Sequence, residues 1–239
     1  MSKSEYTLVV EVEPHYGATI EPVALDLIRP NKQCEVNLSV SQTITESPGP
    51  AWNGTFAWSS KYTLIINFKD KTITAKFKLY VSNPDAKKTK WKSAIENKWS
   101  NKRQMEIVED NSKPNEKEIY KIKVEIEWVD SSLTAHYTIR ANASKATEGG
   151  RAGVGGTTNM IGWGIGDTVD VPHEFGHMLG NKDEYFTVNG QRFGNGRQTN
   201  QGVMNNPSEN PHIRHFMPVK KQVAMCLGIT EQQCKIINT

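Results

Sequence analysis

The segment Asp170-Val171-Pro172-His173-Glu174-Phe175-Gly176-His177-Met178-Leu179-Gly180-Asn181-Lys182-Asp183 decides how this chain is read. Asp170 has a short side chain suited to a helix cap. Pro172 has the fixed φ that suits a first helical turn, so the pair predicts a helix opening just before His173. Residues i and i+4 share a helix face, so His173 and His177 aim both imidazoles at one point. Two nitrogen donors on a rigid helix suit Zn²⁺, which favours imidazole and tetrahedral geometry. Glu174 is not expected to be a ligand. Its carboxylate is placed to take a proton from a water that zinc acidifies and to pass it to a leaving amine. Phe175, Met178 and Leu179 supply apolar packing.

A catalytic zinc needs a third protein ligand and an open position. Gly180 can take a left-handed C-cap conformation and turn the chain back sharply. Asp183, three residues further on, is then the candidate third ligand, with Glu184 and His215 as rivals. The pattern H-E-x-x-H fixes only three positions, and a buried helix with two satisfied histidines would carry the same letters.

Downstream, a polar Gly/Asn-rich loop is expected from about Asn189 to Gln201, with too few carboxylates for calcium. One or two helices should close the chain, with Pro218 in a first turn and Thr230 and Gln233 as a capping box. His212 and His215 could line a pocket beside the metal, reach it, or sit at a helix start. Upstream, Glu148 to Gly166 is rich in glycine. Its core, Thr157 to Gly166, reads either as an irregular edge strand or as a flexible loop.

Glu118 to Trp128 alternates strictly and predicts a half-buried strand, with Leu133 to Arg140 pairing back across Asp130-Ser131-Ser132. Glu109 to Glu116 is a polar loop. Thr72 to Val81 is another alternating strand, and Asn83-Pro84-Asp85 stops it. Asp85 is the expected cap of a following helix, whose Trp91, Ile95 and Trp99 form one apolar stripe. His136 falls in a strand-like context, as does His15, and both read as ordinary histidines. The first 70 residues read as strands at Thr7 to Val12, Cys34 to Val40 and Tyr62 to Phe68, with a turn at Glu46 to Pro50. The class is α+β.

The 239 residues suffice for one large domain, or a small and a medium one. Six Trp, seven Tyr and seven Phe among 36% apolar residues can fill a core, which excludes a disordered chain. The net charge is +3, and its local concentration, Lys87, Lys88, Lys90, Lys92, Lys98, Lys102 and Arg103, lies on the outer face of the Trp91 helix. No reading motif accompanies it, so no nucleic-acid partner is expected. No apolar run reaches the ~18 residues of a membrane span. The opening residues lack a secretory signal, so the expectation is a mature chain, export by a signal-independent route, or a cytoplasmic protein. Three cysteines are no disulfide framework. Cys226 and Cys234 either bridge a short loop or stay reduced, and Cys34 reads as structural rather than as a thiolate that blocks zinc.

His173 to Asp183 resembles the extended metzincin signature H-E-x-x-H-x-x-G-x-x-H/D, and the Asp form is similar to the snapalysin group. Gly202-Val203-Met204-Asn205-Asn206 resembles the turn that places a methionine beneath the zinc in that family. The likeness covers about residues 72–239. It implies a twisted, mostly parallel sheet with an edge strand, an active-site helix, the methionine turn and a C-terminal helix. That catalytic domain would span 71–239, preceded by a β-rich docking or targeting region at 1–70. The strand around Met160 to Gly164 would edge the cleft and take an extended substrate as a further strand. Asn206 stands where some metzincins have a tyrosine, and Tyr185 either substitutes for it or packs.

The implied function is zinc-dependent endopeptidase activity, with Glu174 as base and acid and His173, His177 and Asp183 on the metal. The expected partners are a protein or peptide substrate and a delivery or inhibitor protein, with the chain itself a monomer. Analogy with bacterial effector proteases fits the missing signal. The alternatives are a non-catalytic binding module on a protease scaffold and a hydrolase of non-peptide substrates; the retained Glu174 argues against the first.

Overall fold

A computed structural model describes residues 29–44, 54–142, 160–188, 191–194 and 202–239. The expected strand at Thr7 to Val12, the turn at Glu46 to Pro50, His15, and the outer part of the Asn189 to Gln201 loop lie outside them. The class is α+β, as expected. One seven-stranded sheet runs in the order β1-β2-β3-β5-β4-β11, with β6 attached to β3. Its long strands are β1 (Lys32–Ile44), β2 (Gly54–Asn67), β3 (Thr72–Tyr80) and β5 (Glu118–Trp128). The shorter ones are β4 (Arg103–Ile107), β6 (Tyr137–Thr138) and β11 (Cys234–Asn238).

Alternation decides the faces. Ile73, Ala75, Phe77 and Leu79 of β3 point with Tyr120, Ile122, Val124 and Ile126 of β5 into one core. Lys76 answers Glu125 and Glu127 on the opposite face. A sheet with one solvated face needs helices only on the other. Those helices are α1 (Lys88–Trp99), α2 (Val171–Met178) and α3 (Met217–Leu227). Trp91, Ile95 and Trp99 of α1 are fully buried, each such side chain contributing on the order of 2–3 kcal/mol. Trp99 meets Phe175 of α2, and Phe77 meets Phe175 from below, with ring centroids 4.7 Å apart. Among the described residues no helix is long and apolar enough to cross a membrane.

Several expectations change. The sheet is not mostly parallel. Only the β3–β5 and β3–β6 pairs within it are parallel, because a parallel pair needs a crossover, and α1 supplies the one between β3 and the β4–β5 hairpin. The division at residue 70 falls in the turn between β2 and β3, which pair antiparallel, so both sides of it share one sheet. Leu133 to Arg140 does not pair with β5, whose two edges are already taken by β3 and β4. Tyr137 and Thr138 instead align with Leu79 and Tyr80, beyond the point where β2 leaves β3. β7 (Arg140–Asn142) then pairs with β8 (Gly162–Gly164), which lies within the described residues 160–166 of the glycine-rich segment.

Asp85 does not cap α1. Its N–H is taken by the Asn83 side chain in a tight turn, and the helix begins three residues later. The chain ends in strand β11 rather than in a helix, after α3 with Pro218 in its first turn and a short 3-10 turn that Thr230 and Gln233 box as expected. β9 (Tyr185–Val188) and β10 (Gln191–Gly194) form a hairpin where a plain loop was expected to begin. Cys226 is bonded to Cys34, not to Cys234, which is a buried free thiol. The Cys34–Cys226 bond ties β1 to α3.

Candidate metal centre

Helix α2 is buried along its whole length. The carboxylate of Asp167 opens it, accepting the N–H groups of Val169 and Asp170, while the side chain of Asp170 makes no capping bond. The helix ends where expected. Gly180 has φ +99°, and the Gly180 and Asn181 N–H groups return to the carbonyls of His177 and Gly176. This paired closure satisfies two of the helix's last carbonyls and needs a residue that tolerates positive φ.

The turn delivers Asp183 to the two histidines. Asp183 Oδ1 lies 3.2 Å from His173 Nε2 and 3.4 Å from His177 Nε2. All three candidate ligand atoms lie within 4.8 Å of one another. The buried Oδ1 makes no hydrogen bond of acceptable geometry, although it sits between two rings. Ligands at zinc–donor distances of ~2.0–2.1 Å on a tetrahedron stand roughly 3.3 Å apart. The two oxygen–nitrogen separations match such an edge, so the group is compatible with a bound metal ion.

The other ring nitrogens settle which one faces the group. His173 Nδ1 is 2.7 Å from the Val203 carbonyl, and His177 Nδ1 is 2.9 Å from the Asn181 carbonyl. A carbonyl can only accept, so each Nδ1 carries a proton. Each Nε2 is the nitrogen that turns to the shared point and can offer a lone pair there once its own proton is lost. Burial disfavours charge on His177, yet the neighbouring Asp183 carboxylate outweighs it and pushes the ring up to about 9. His173 is raised by the same contest. Burial works against the Asp183 carboxylate too, but the two histidines hold it well below the usual range.

Glu174 is 6% exposed. Burial pushes its carboxyl up to about 7, against the pull of His173 and His177. A divalent ion alongside would lower that value.

The methionine turn lies directly under the helix. Asn205 and Asn206 both donate to the Gly202 carbonyl, closing it. A Cβ on Gly176 would come within 2.3 Å of Met204 Sδ and 3.0 Å of Trp99 Cζ2, so glycine is the residue that lets helix and turn meet. The same turn supplies the Val203 carbonyl for His173 and the Met204 carbonyl for the N–H of Glu184.

Glu184 and His215, the rivals for the third ligand position, are not in the group. Glu184 takes both the Arg214 guanidinium and His215 Nε2, and His215 Nδ1 accepts the N–H of His212. Those bonds commit Glu184 and His215 elsewhere, and His212 starts the 3-10 turn Ile213–Phe216. His136 accepts the Lys78 N–H and faces Glu35, remote in role from the group. β8 pairs with β7, and its Gly164 carbonyl is occupied by Trp91 Nε1. The side chain of Tyr185 lies outside the described residues. A cavity of about 770 Å³ shares Asp183 with the group, but neither His173 nor His177 lines it.

Support from β1 and β2 had no counterpart in the sequence reading. Trp58 Nε1 donates to the His177 carbonyl at 2.9 Å, and Ser60 Oγ donates to the Met178 carbonyl. Gln42 bonds both main-chain groups of Asp183. A signal for Gln42 existed. Cys34, Val36, Leu38 and Val40 face inward at every second position of β1, and Gln42 continues that series where an apolar residue was due. An inward polar side chain requires partners.

Comparison of the chain with protein-family models, curated proteins and solved structures finds no match.

Proposed function

We propose that the protein is a zinc-dependent endopeptidase with a metzincin-like centre, in which His173, His177 and Asp183 bind the metal and Glu174 moves the proton. The observation that carries this reading is the triad itself. Two Nε2 atoms, fixed by carbonyls behind the opposite ring nitrogens, stand 3.2 and 3.4 Å from one otherwise unbonded carboxylate oxygen, the length of a tetrahedral edge. The Met204 turn under Gly176 supports the family likeness. When bound, zinc supplies Lewis acidity toward water and a substrate carbonyl. Glu174 takes the proton released as water adds to the peptide carbonyl and returns it to the leaving amine, so the carboxylate is restored each cycle. Its buried position next to His173 suits a proton carrier that must accept and then donate. The Cys34–Cys226 bond supports action in an oxidising compartment, in keeping with export.

The test is cleavage of casein or gelatin by zinc-loaded protein against Glu174→Ala. Cleavage by the wild type and a loss of at least ~10²-fold in the variant are expected, with zinc content equal in both. Zinc retained without cleavage by either protein would leave a binding module and remove the catalytic reading.

A further inference from the structure

We propose that Gln42, on strand β1, is a positioning residue of the metal centre, acting through the main chain of Asp183. The inference rests on reading His173, His177 and Asp183 as a metal site, but not on any peptidase activity.

Asp183 is the one member of the triad that no regular element holds. It comes after the left-handed turn at Gly180, in a stretch without helix or strand. Its side chain has two rotatable bonds, so its carboxylate is placed only as well as its backbone is. Gln42 Nε2 donates to the Asp183 carbonyl at 2.9 Å, and the Asp183 N–H donates to Gln42 Oε1 at 3.1 Å. One side-chain amide thereby pairs with both polar groups of one residue, as a neighbouring strand would. The next residue is anchored separately, by the bond from the Glu184 N–H to the Met204 carbonyl. Two successive residues are thus pinned separately, one by a strand that precedes them in the sequence and one by a turn that follows.

Gln42 is itself fixed. It lies on the inward face of β1, beyond Leu38, whose Cδ2 lies 3.4 Å from where a Cβ of Gly180 would be. Further back, Cys34 bonds that strand to α3. β1 therefore follows the turn that carries Asp183, contacting its start through Leu38 and its end through Gln42. Groups that orient a ligand without touching the ion change metal affinity by about 10–100-fold when removed.

The experiment is zinc affinity by competition with a chromogenic chelator, for wild type, Gln42→Met, Gln42→Ala, Gln33→Met and His177→Ala. Melting of the metal-free proteins and hydrogen exchange at the Asp183 amide in the loaded ones are measured alongside. Both Gln42 variants should bind zinc about 10–100-fold more weakly, although Met keeps the volume and Ala does not. Gln33→Met, on the exposed face of the same strand, should match wild type. The Asp183 amide should exchange faster in both Gln42 variants, while metal-free melting stays within about 4 °C of wild type. Wild-type affinity in Gln42→Met overturns the proposal alone and assigns Gln42 to packing. Failure of the wild type to bind zinc, or full binding by His177→Ala, overturns the underlying metal reading with it.

Discussion

Helix α2 and the β1–β2 pair meet at the His173, His177 and Asp183 group but present themselves in opposite ways: the helix through side chains, the strands through bonds to the main chain of His177, Met178 and Asp183. The helix carries its chemistry in its spacing: His173 and His177 share a face because four residues make about one turn. The strands carry no comparable signature. Gln42, Trp58 and Ser60 reach α2 and Asp183 across 118 to 141 residues of sequence. One region supplies donor atoms, and the other holds the main chain that aims them. A His-His-Asp group built this way is local in composition and non-local in precision.

The sharpest way to break that contrast is to delete a donor. His177→Ala should lower zinc affinity by more than the ~100-fold that loss of a supporting bond costs, as read by chelator competition. A smaller loss would put the histidine among the supports rather than the donors.

The next test uses pH. Zinc entering the proposed site must displace the proton that Asp183 favours on His177, whose pKa is raised to about 9. Affinity should therefore rise with pH up to about 9 and level off above it. From pH 9 down to 7 it should fall by about tenfold per unit for this proton, and more steeply where His173 also titrates. A plateau beginning near the ordinary histidine value of ~6.5 would mean that Asp183 does not face the rings.

The contact between α2 and the Met204 turn comes third. Gly176→Ala drives a methyl into Met204 Sδ and should cost about 1–3 kcal/mol of stability in urea unfolding of the metal-free protein. A neutral substitution would show the turn free to retreat. The smallest effect belongs to the strand side. Trp58→Phe keeps the ring but loses the bond to the His177 carbonyl, for a loss of about 1 kcal/mol in the same measurement. No change would reduce β2 to a bystander.

What the sequence made legible follows from how far each signal reaches. The alternation from Glu118 to Trp128 and the stripe of Trp91, Ile95 and Trp99 are local patterns, and the structure has both elements. Gly180 predicted a reversal because only its own φ was at stake. Pairing was another matter. Nothing within Leu133 to Arg140 reveals that both edges of β5 are taken, and nothing near Cys226 points to Cys34. The C-terminal residues Cys234 to Asn238 become a strand because β4 offers an open edge, a fact stored over a hundred residues away. Gln42 lies between these cases. Its inward place was visible in the alternation of β1, but the identity of its partner was not.

The bond between Cys34 and Cys226 spans 192 positions and encircles nearly every other described residue, the triad included. A single backbone cut anywhere inside that ring leaves one covalent molecule. Should the protein nick itself at an exposed loop, electrophoresis without thiol would still display one full-size band. Only gels run with and without reductant, side by side, would reveal the scission.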